Sequence, residues 1–357
     1  MNKPRILICP LNWGLGHASR CIPVIRALLE AGAEPILAAD EGPLDLLRTE
    51  FPQLEWLHFP GVLVRYPEPG ESMVWSMLSQ TPALLSGIKA ETAFVKKLVN
   101  DYDVQAIISD NRFGAYAKQV PSVYISHQIF IKTGNALGDK MAFLQHRKYM
   151  QRYSRVWIPD TAEKPGLAGE LSHGTKIPAH ARYIGPLSRM KALPNSEIRY
   201  DACLILSGPE PQRSVLEGLF LEQIARFPDK KFLLIRGKSE ALGSAYPNLD
   251  CMGLAHQNEM EKALTESRRI ICRSGYSGLM DLDALNRGAC LIPTPGQTEQ
   301  EYLAEQMKNK PGFMCQSQDA FNLEQILTWE QEPVQEPIRK DQSLQLAVLE
   351  LLDLFGK

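Results

Sequence analysis

No stretch of this chain reaches the roughly 18 consecutive apolar residues that a membrane-spanning helix needs. The start of the chain also lacks the apolar centre of a secretory signal, because Met1-Asn2-Lys3-Pro4 leads straight into a strand-like run over 5–9. Charge of one sign is scarce: 39 basic against 41 acidic side chains leave a formal net charge of -2. The strongly basic surface of a nucleic-acid-binding domain is therefore missing, and no nucleic-acid partner is expected. Cysteine is sparse and without pattern. The seven residues Cys9, Cys21, Cys203, Cys251, Cys272, Cys290 and Cys315 are odd in number and include no Cys-x-x-Cys pair. The histidines are dispersed and form no His-Glu-x-x-His. These gaps argue against a disulfide framework and a bound metal, and favour reduced buried thiols in a cytoplasmic protein. What is present is ordinary globular material, 44% hydrophobic and 22% charged, over 357 residues. That much apolar surface offsets chain entropy, and the length suits two domains.

Short apolar runs alternate with helical patterns in both halves. In the first, strands are expected at 5–9, 35–39, 54–59, 104–109, 122–126 and 155–158, with helices at 18–31, 43–50 and 114–119. The stretch 160–189 is rich in glycine and proline and reads as connecting loops ending in a linker near Ile184-Gly185-Pro186. The second half restarts the alternation. Its strands are expected at 202–206, 231–235, 268–272 and 290–293, and its helices at 214–225, 279–286 and 300–307. A leucine-rich helix at 343–355 closes the chain. Such alternation implies βαβ units. The fold class is α/β, with two Rossmann-like parallel-sheet domains, 1–185 and 186–357, and a closing helix that is a candidate to pack back on the first. Ligands of such sheets sit beyond the carboxyl ends of the strands, which would place a site in the cleft between two facing domains.

The loops after the strands hold the chemistry. Trp13-Gly14-Leu15-Gly16-His17 follows the first strand and opens the first helix. Its glycines allow a close backbone approach, the helix N-terminus suits an anion, and His17 can act as a general base. A plain tight turn with a capping histidine explains the same residues. Ile108-Ser109-Asp110-Asn111 and Ser126-His127-Gln128 also end strands. Helix capping and a backbone-bonded histidine are the competing explanations there. In the second half, Ser207-Gly208-Pro209 precedes a helix and could hold a phosphate, with Arg213 close in sequence. Arg273-Ser274-Gly275-Tyr276-Ser277-Gly278 meets another helix N-terminus suited to a pyrophosphate, and Asp281 can accept from ribose hydroxyls. The run 293–302 carries Gln297, Gln300 and Glu301, side chains that read sugar hydroxyls unless the loop is merely solvated.

Together these residues resemble the GT-B glycosyltransferases of family 28, and among them the MurG-like transferases that move N-acetylglucosamine from UDP to a lipid-linked acceptor. Gly14-Leu15-Gly16-His17 is similar to that family's N-terminal glycine loop, and Ser126-His127-Gln128 to its second histidine loop, both on the acceptor side. Ser207-Gly208 stands at its second glycine-rich loop. Arg273-Ser274-Gly275 matches without gaps through Asp281, which stands where the family has a ribose-binding glutamate. Gln300 and Glu301 occupy the positions of its paired glutamines.

The resemblance implies a metal-independent transferase with a UDP-sugar as co-substrate and no further cofactor. The implied donor groups are Ser207, Gly208, Arg213, 273–278, Asp281, Gln297, Gln300 and Glu301. The acceptor side would use Trp13, Gly14, Gly16, His17, Asn111 and Gln128. His17 is the first choice of base, and His127 or Asp110 the second. The acceptor would be lipid-linked or a glycan, in cell-envelope polysaccharide or glycolipid synthesis. An apolar segment (Val62, Leu63, Val64, Met73, Val74, Trp75, Met77, Leu78, Leu84, Leu85) and the cations Lys140, Arg147, Lys148, Arg152 and Arg155 suggest peripheral membrane contact through the first domain. Buried core beside a solvated face explains them as well. A UDP-sugar hydrolase, a non-hydrolysing 2-epimerase and a non-catalytic nucleotide-sugar binder are the alternatives on the same fold.

Overall fold

The computed structural model describes residues 3–61, 73–174, 176–193, 197–238, 246–334 and 342–355, with backbone alone over 73–81. It divides into two compact units, Met1–Ser188 with Lys340–Lys357, and Arg189–Arg339. The division falls after Ser188 rather than after Gly185, and the closing segment belongs to the first unit.

The first unit has seven strands, β1 (Arg5–Pro10), β2 (Glu34–Ala39), β3 (Trp56–His58), β4 (Ala106–Asp110), β5 (Ser122–Ile125), β6 (Arg155–Ile158) and β7 (Ala181–Tyr183). Their order across the sheet is β3-β2-β1-β4-β5-β6-β7, and every pairing is parallel. The helices are α1 (Leu15–Glu30), α2 (Glu41–Glu50), α3 (Met73–Asp101), α4 (Ala136–Met150) and α5 (Glu170–His173). β4 and β5 are buried at every residue, as expected of strands covered on both faces. This is why Ile107, Ile108, Val123, Tyr124 and Ile125 stand side by side without polar alternation.

The second unit repeats the design with β8 (Tyr200–Ile205), β9 (Phe232–Ile235), β10 (Leu249–Met252), β11 (Ser267–Cys272), β12 (Cys290–Leu291) and β13 (Met314–Cys315). Their order is β10-β9-β8-β11-β12-β13, again all parallel. Its helices are α6 (Gln212–Ile224), α7 (Gln257–Thr265), α8 (Tyr276–Ala284), α9 (Thr298–Lys308) and α10 (Leu323–Thr328). Phe220 of α6 meets Phe232 of β9 edge to face, centroids 5.8 Å apart, inside a core that also holds Leu204, Leu216 and Ile271. Such ring pairs add about 0.5–1.5 kcal/mol beyond the area they bury. The last helix, α11 (Ser343–Leu352), is held to the first unit, and its Glu350 pairs with Arg182 of β7.

The helix expected at 114–119 is absent. Asn111 turns into the left-handed region at φ 56. The carbonyls that would open a helix are taken elsewhere. Ser109 and Tyr153 donate their hydroxyls to the Arg112 carbonyl, and Thr92 donates to that of Gly114. Arg112 itself is 1% exposed. Its Nε donates to Glu91 Oε1 at 2.8 Å, its Nη2 donates to the Phe59 and Pro60 carbonyls, and its guanidinium lies 3.5 Å over the Phe59 ring. This buried pair ties α3 to the loop after β4. The long helices α3 and α4 lie where no helix was expected, and α5 and β7 lie within the stretch read as loop.

Removing one partner of a buried ion pair strands the other charge in the interior. Glu91→Ala is therefore expected to cost about 3–5 kcal/mol in urea unfolding. A loss below about 1 kcal/mol, the level of an exposed pair, would contradict that account of the β4 loop.

Candidate active site

In both sheets the connections leave in opposite directions from two adjacent central strands, β1 and β4 in the first and β8 and β11 in the second. Such a switch point opens a crevice at the carboxyl ends of the strands. The candidate residues gather at these two edges.

In the first unit, the chain leaves β1 and reaches α1 through Gly14, which has φ 93. That conformation favours glycine, and no side chain caps the helix there. His17 stands in the first turn of α1. Arg20, one turn on and on the same face, is 3% exposed. Arg20 donates from Nε to Asp110 Oδ2 at 2.6 Å and from Nη2 to Asp110 Oδ1. The same Nη2 lies 2.8 Å from His17 Nδ1, and Nη1 lies 3.5 Å from His127 Nδ1. Asp110, fully buried at the end of β4, also lies 3.5 Å from His17 Nδ1. One guanidinium thus joins the loops after β1, β4 and β5.

Burial, and next the Arg20 cation, lower the His17 pKa from its usual 6.5, against the opposing pull of Asp110. Burial alone would raise Asp110, but Arg20 and His17 outweigh it and hold the carboxylate below its ordinary value. Asp110 is therefore an enclosed, ionised partner of Arg20. Arginine stays protonated, so toward Arg20 the Nδ1 of His17 is an acceptor and the neutral ring keeps its proton on Nε2. For Nε2 to take up a proton, Nδ1 must instead carry hydrogen and turn it to Asp110. Both partners of that exchange surround the same nitrogen.

The remaining acceptor-side candidates are dispersed around this cluster. Trp13 and Gln128 are half-buried. Gly16 lies inside α1 rather than in the loop. The Asn111 amide oxygen accepts from the Tyr124 hydroxyl, which also lies 3.0 Å from His146 Nε2. Asn111 thereby braces the β4 loop.

In the second unit, the loops after β8, β11 and β12 adjoin. Gly208 has φ 90, and a Cβ on it would lie 3.6 Å from Thr294 Oγ1. Thr294 is 2% exposed, and its hydroxyl has no partner among the described residues. No side chain caps α8 at Gly275. The Ser274 hydroxyl donates to the Gln300 carbonyl at 2.7 Å, joining the start of α8 to α9. Gln300 Oε1 accepts from the Thr294 N–H at 2.9 Å, and Glu301 Oε1 accepts from the Gly296 N–H at 2.9 Å. Gln300 also donates from Nε2 to the Gln297 side chain at 2.5 Å.

The two arginines expected to meet a diphosphate have other tasks here. Arg273 is 2% exposed and donates to the Gln212, Ile292 and Pro293 carbonyls and to the Gln318 side chain. Burial lowers its pKa to about 10. Arg213 donates to Glu210 and to the Gly237 carbonyl. Both brace the loops. Tyr276 is buried, while Ser277, Gly278 and Asp281 are half-buried along the first turns of α8. Arg20 and Thr294 were missed in the sequence. The three-residue spacing from His17 to Arg20 was the available signal for the first, and Thr294 had none.

Residues 205–346 match the glycosyltransferase family 28 C-terminal domain. The match contains every donor-side candidate and none of the acceptor-side ones. Two similar proteins are named UDP-N-acetylglucosamine–N-acetylmuramyl-(pentapeptide) pyrophosphoryl-undecaprenol N-acetylglucosamine transferase. That of Acidiphilium cryptum is 22% identical over 66% of this chain, which spans 63% of the relative's length. That of Methylobacterium radiotolerans is 25% identical over 84% of this chain and 80% of its own length. The fold is shared with the glycotransferase of kitacinnamycin, at TM-score 0.63 and 14% identity over 98% of this chain and 94% of that one. It is shared also with Acinetobacter baumannii MurG, at TM-score 0.54 and 12% identity over 98% and 99%. The architecture is the GT-B fold of these glycosyltransferases, two parallel sheets each flanked by helices.

A histidine whose folded pKa lies below its unfolded value stabilises the fold above the unfolded value, and that contribution is lost as pH falls through the folded one. The His17 ring in the free protein is expected to titrate below pH 6.5 by NMR, with stability falling over the same range. A midpoint at or above 6.5 would mean that neither burial nor Arg20 governs the ring.

Proposed function

We propose that this chain transfers a hexose or N-acetylhexosamine from a UDP-sugar to an acceptor hydroxyl, without a metal ion and with its base in the first unit. The observation that carries the donor half is the uncapped start of α8 inside the family-matched segment, beside Gly208 and the unpartnered Thr294 hydroxyl. Main-chain N–H groups of 275–278 and 207–208 would hold the diphosphate, helped by the helix dipole. Asp281 would accept from the ribose hydroxyls. Gln297, Gln300 and Glu301 would exchange their contacts with one another and with the 294–296 backbone for the donor sugar.

In the reaction the acceptor oxygen bonds to the anomeric carbon while the bond to the diphosphate oxygen breaks. The bonding pair leaves with UDP, and its charge is met by the α8 N-terminus. The acceptor proton passes to His17 Nε2 in the tautomer that carries its hydrogen on Nδ1 and donates it to Asp110, a tautomer formed when Nε2 gives its proton to solvent and Nδ1 takes one up. In this scheme Asp110 orients the base rather than acting as one, and His127 shares the same guanidinium. The names of the two relatives support a lipid-linked acceptor of the pyrophosphoryl-undecaprenol kind.

UDP-sugars are expected to raise the melting temperature by mass action on the folded state. Asp281→Ala should abolish most of that shift. His17→Ala should keep it but lower the transfer rate about a hundredfold or more. An unchanged shift in Asp281→Ala would remove the ribose contact. An unchanged rate in His17→Ala would remove the base. Free sugar released from the donor alone as fast as any transfer would point to a hydrolase instead.

A membrane-facing role is supported by α4. Leu137, Met141 and Leu144 are 70%, 64% and 48% exposed along one stripe, with exposed Lys140, Arg147 and Lys148 alongside. No helix among the described residues is long and apolar enough to cross a membrane, so contact would be peripheral. Val62, Leu63 and Val64, and the side chains of Met73, Val74, Trp75, Met77 and Leu78, lie outside the described residues. Of the rest, Leu85 is 41% exposed, Leu84 is half-buried, and Arg152 and Arg155 are exposed. Leu137→Glu/Met141→Glu should abolish sedimentation with anionic vesicles at low salt. Equal sedimentation of the variant and the parent protein would exclude this face.

A further inference from the structure

The first unit holds a cation-lined groove at the other end of its strands from its catalytic candidates. A groove of about 800 Å³ is lined by Lys89, Thr92 and Lys96 of α3, Tyr116 and Lys118 of the loop before β5, and Arg152 before β6. These loop residues precede their strands, whereas His17, Asp110 and His127 follow theirs. In a parallel sheet the two sets stand at opposite ends of the strands. The groove is therefore separate from the acceptor-side cluster.

Its charge is one-sided. Four cations line it and no carboxylate does. None of Lys89, Lys96, Lys118 or Arg152 forms an ion pair among the described residues, although the chain carries slightly more acids than bases. Glu91, the acid of α3 between Lys89 and Lys96, is turned inward onto Arg112 and Gly114. The Thr92 hydroxyl donates to the carbonyls of Ile88 and Gly114, which fixes the groove floor to the β4 loop. The Arg152 guanidinium lies 4.7 Å over the Tyr149 ring and 5.7 Å from that of Tyr116. Stacking of this kind holds an arginine in place with its N–H fork available to an anion.

We propose that this groove binds a phosphate-bearing anion, at a site distinct from the UDP-sugar site. Like charges gathered on three separate segments repel one another, and a multiply charged anion relieves that repulsion at all four. Phosphate suits the set better than a carboxylate. It carries up to two charges per group, and its oxygens accept both the planar arginine fork and lysine point charges. The source is a soluble diphosphate or the headgroup of an anionic lipid, and both present the same chemistry to the groove. The site stands or falls apart from the donor assignment, because none of its residues belongs to the second unit.

The test uses the full chain and its variant Lys96→Glu/Lys118→Glu, whose altered side chains are exposed. Inorganic pyrophosphate is titrated by calorimetry with UDP present in excess. In parallel, the proteins are sedimented with phosphatidylcholine vesicles with and without phosphatidylglycerol. An equal UDP-induced melting shift in both proteins shows that the variant is folded and that its second unit is unchanged. Pyrophosphate binding at least about tenfold weaker in the variant supports a site for a soluble diphosphate. Phosphatidylglycerol-dependent sedimentation that falls in the variant supports a lipid headgroup. Equal pyrophosphate affinity together with equal sedimentation overturns the proposal, as does the absence of both kinds of binding in the parent protein.

Discussion

Parallel strands joined by crossover helices deliver every strand-following loop to one edge of the sheet, and this constraint governs the molecule. It acts twice, once on each sheet. In the first unit it brings Gly14, Asp110 and His127 to one edge although they are far apart in sequence. In the second it does the same for Gly208, Gly275 and Thr294. At each edge the chain presents a helix whose first turn no side chain caps, α1 in one unit and α8 in the other. A helix start of that kind is a standing site for negative charge.

The two edges are finished differently. The first carries ionisable groups, and the buried Arg20–Asp110 pair sets their behaviour. A buried pair of this kind earns little net stability, but either charge left alone would be costly. Its consequence is chemical: Arg20 and Asp110 both reach His17 Nδ1, so a donor and an acceptor face the same ring nitrogen. The second edge is built of backbone, hydroxyl and amide groups. Its arginines, Arg213 and Arg273, point back into the protein and hold the loops in place. Ionisable side chains thus crowd the first edge, and neutral polar groups line the second.

Several parts were legible in the sequence because the relevant forces are local. Strands β1, β4 and β5 stood out as short apolar-rich runs because both their faces are covered. The phosphate-type loops at 207–208 and 273–275 stood out as small residues between such a run and a helix. Other parts depended on partners distant in sequence. The segment 114–119 has a helical pattern, yet Ser109, Tyr153 and Thr92 take the carbonyls that a helix would use. Helix α3 was obscured by Pro82 and by a long apolar stretch that fitted a membrane face as well as a core. Arg213 and Arg273 were expected to face an anion because the sequence does not show which carbonyls stand within reach.

The sequence by itself determined the α/β class, the two parallel sheets, the loops at their strand ends and the resemblance to family 28. These follow from residue type and spacing over a few turns of chain. Only the tertiary structure decided that Asp110 is enclosed by Arg20, that the last helix returns to the first unit, and that four cations share a groove without an acid. Each of these joins residues tens to hundreds of positions apart. The proximity that sets a proton's position or a groove's charge exists only once the chain has folded.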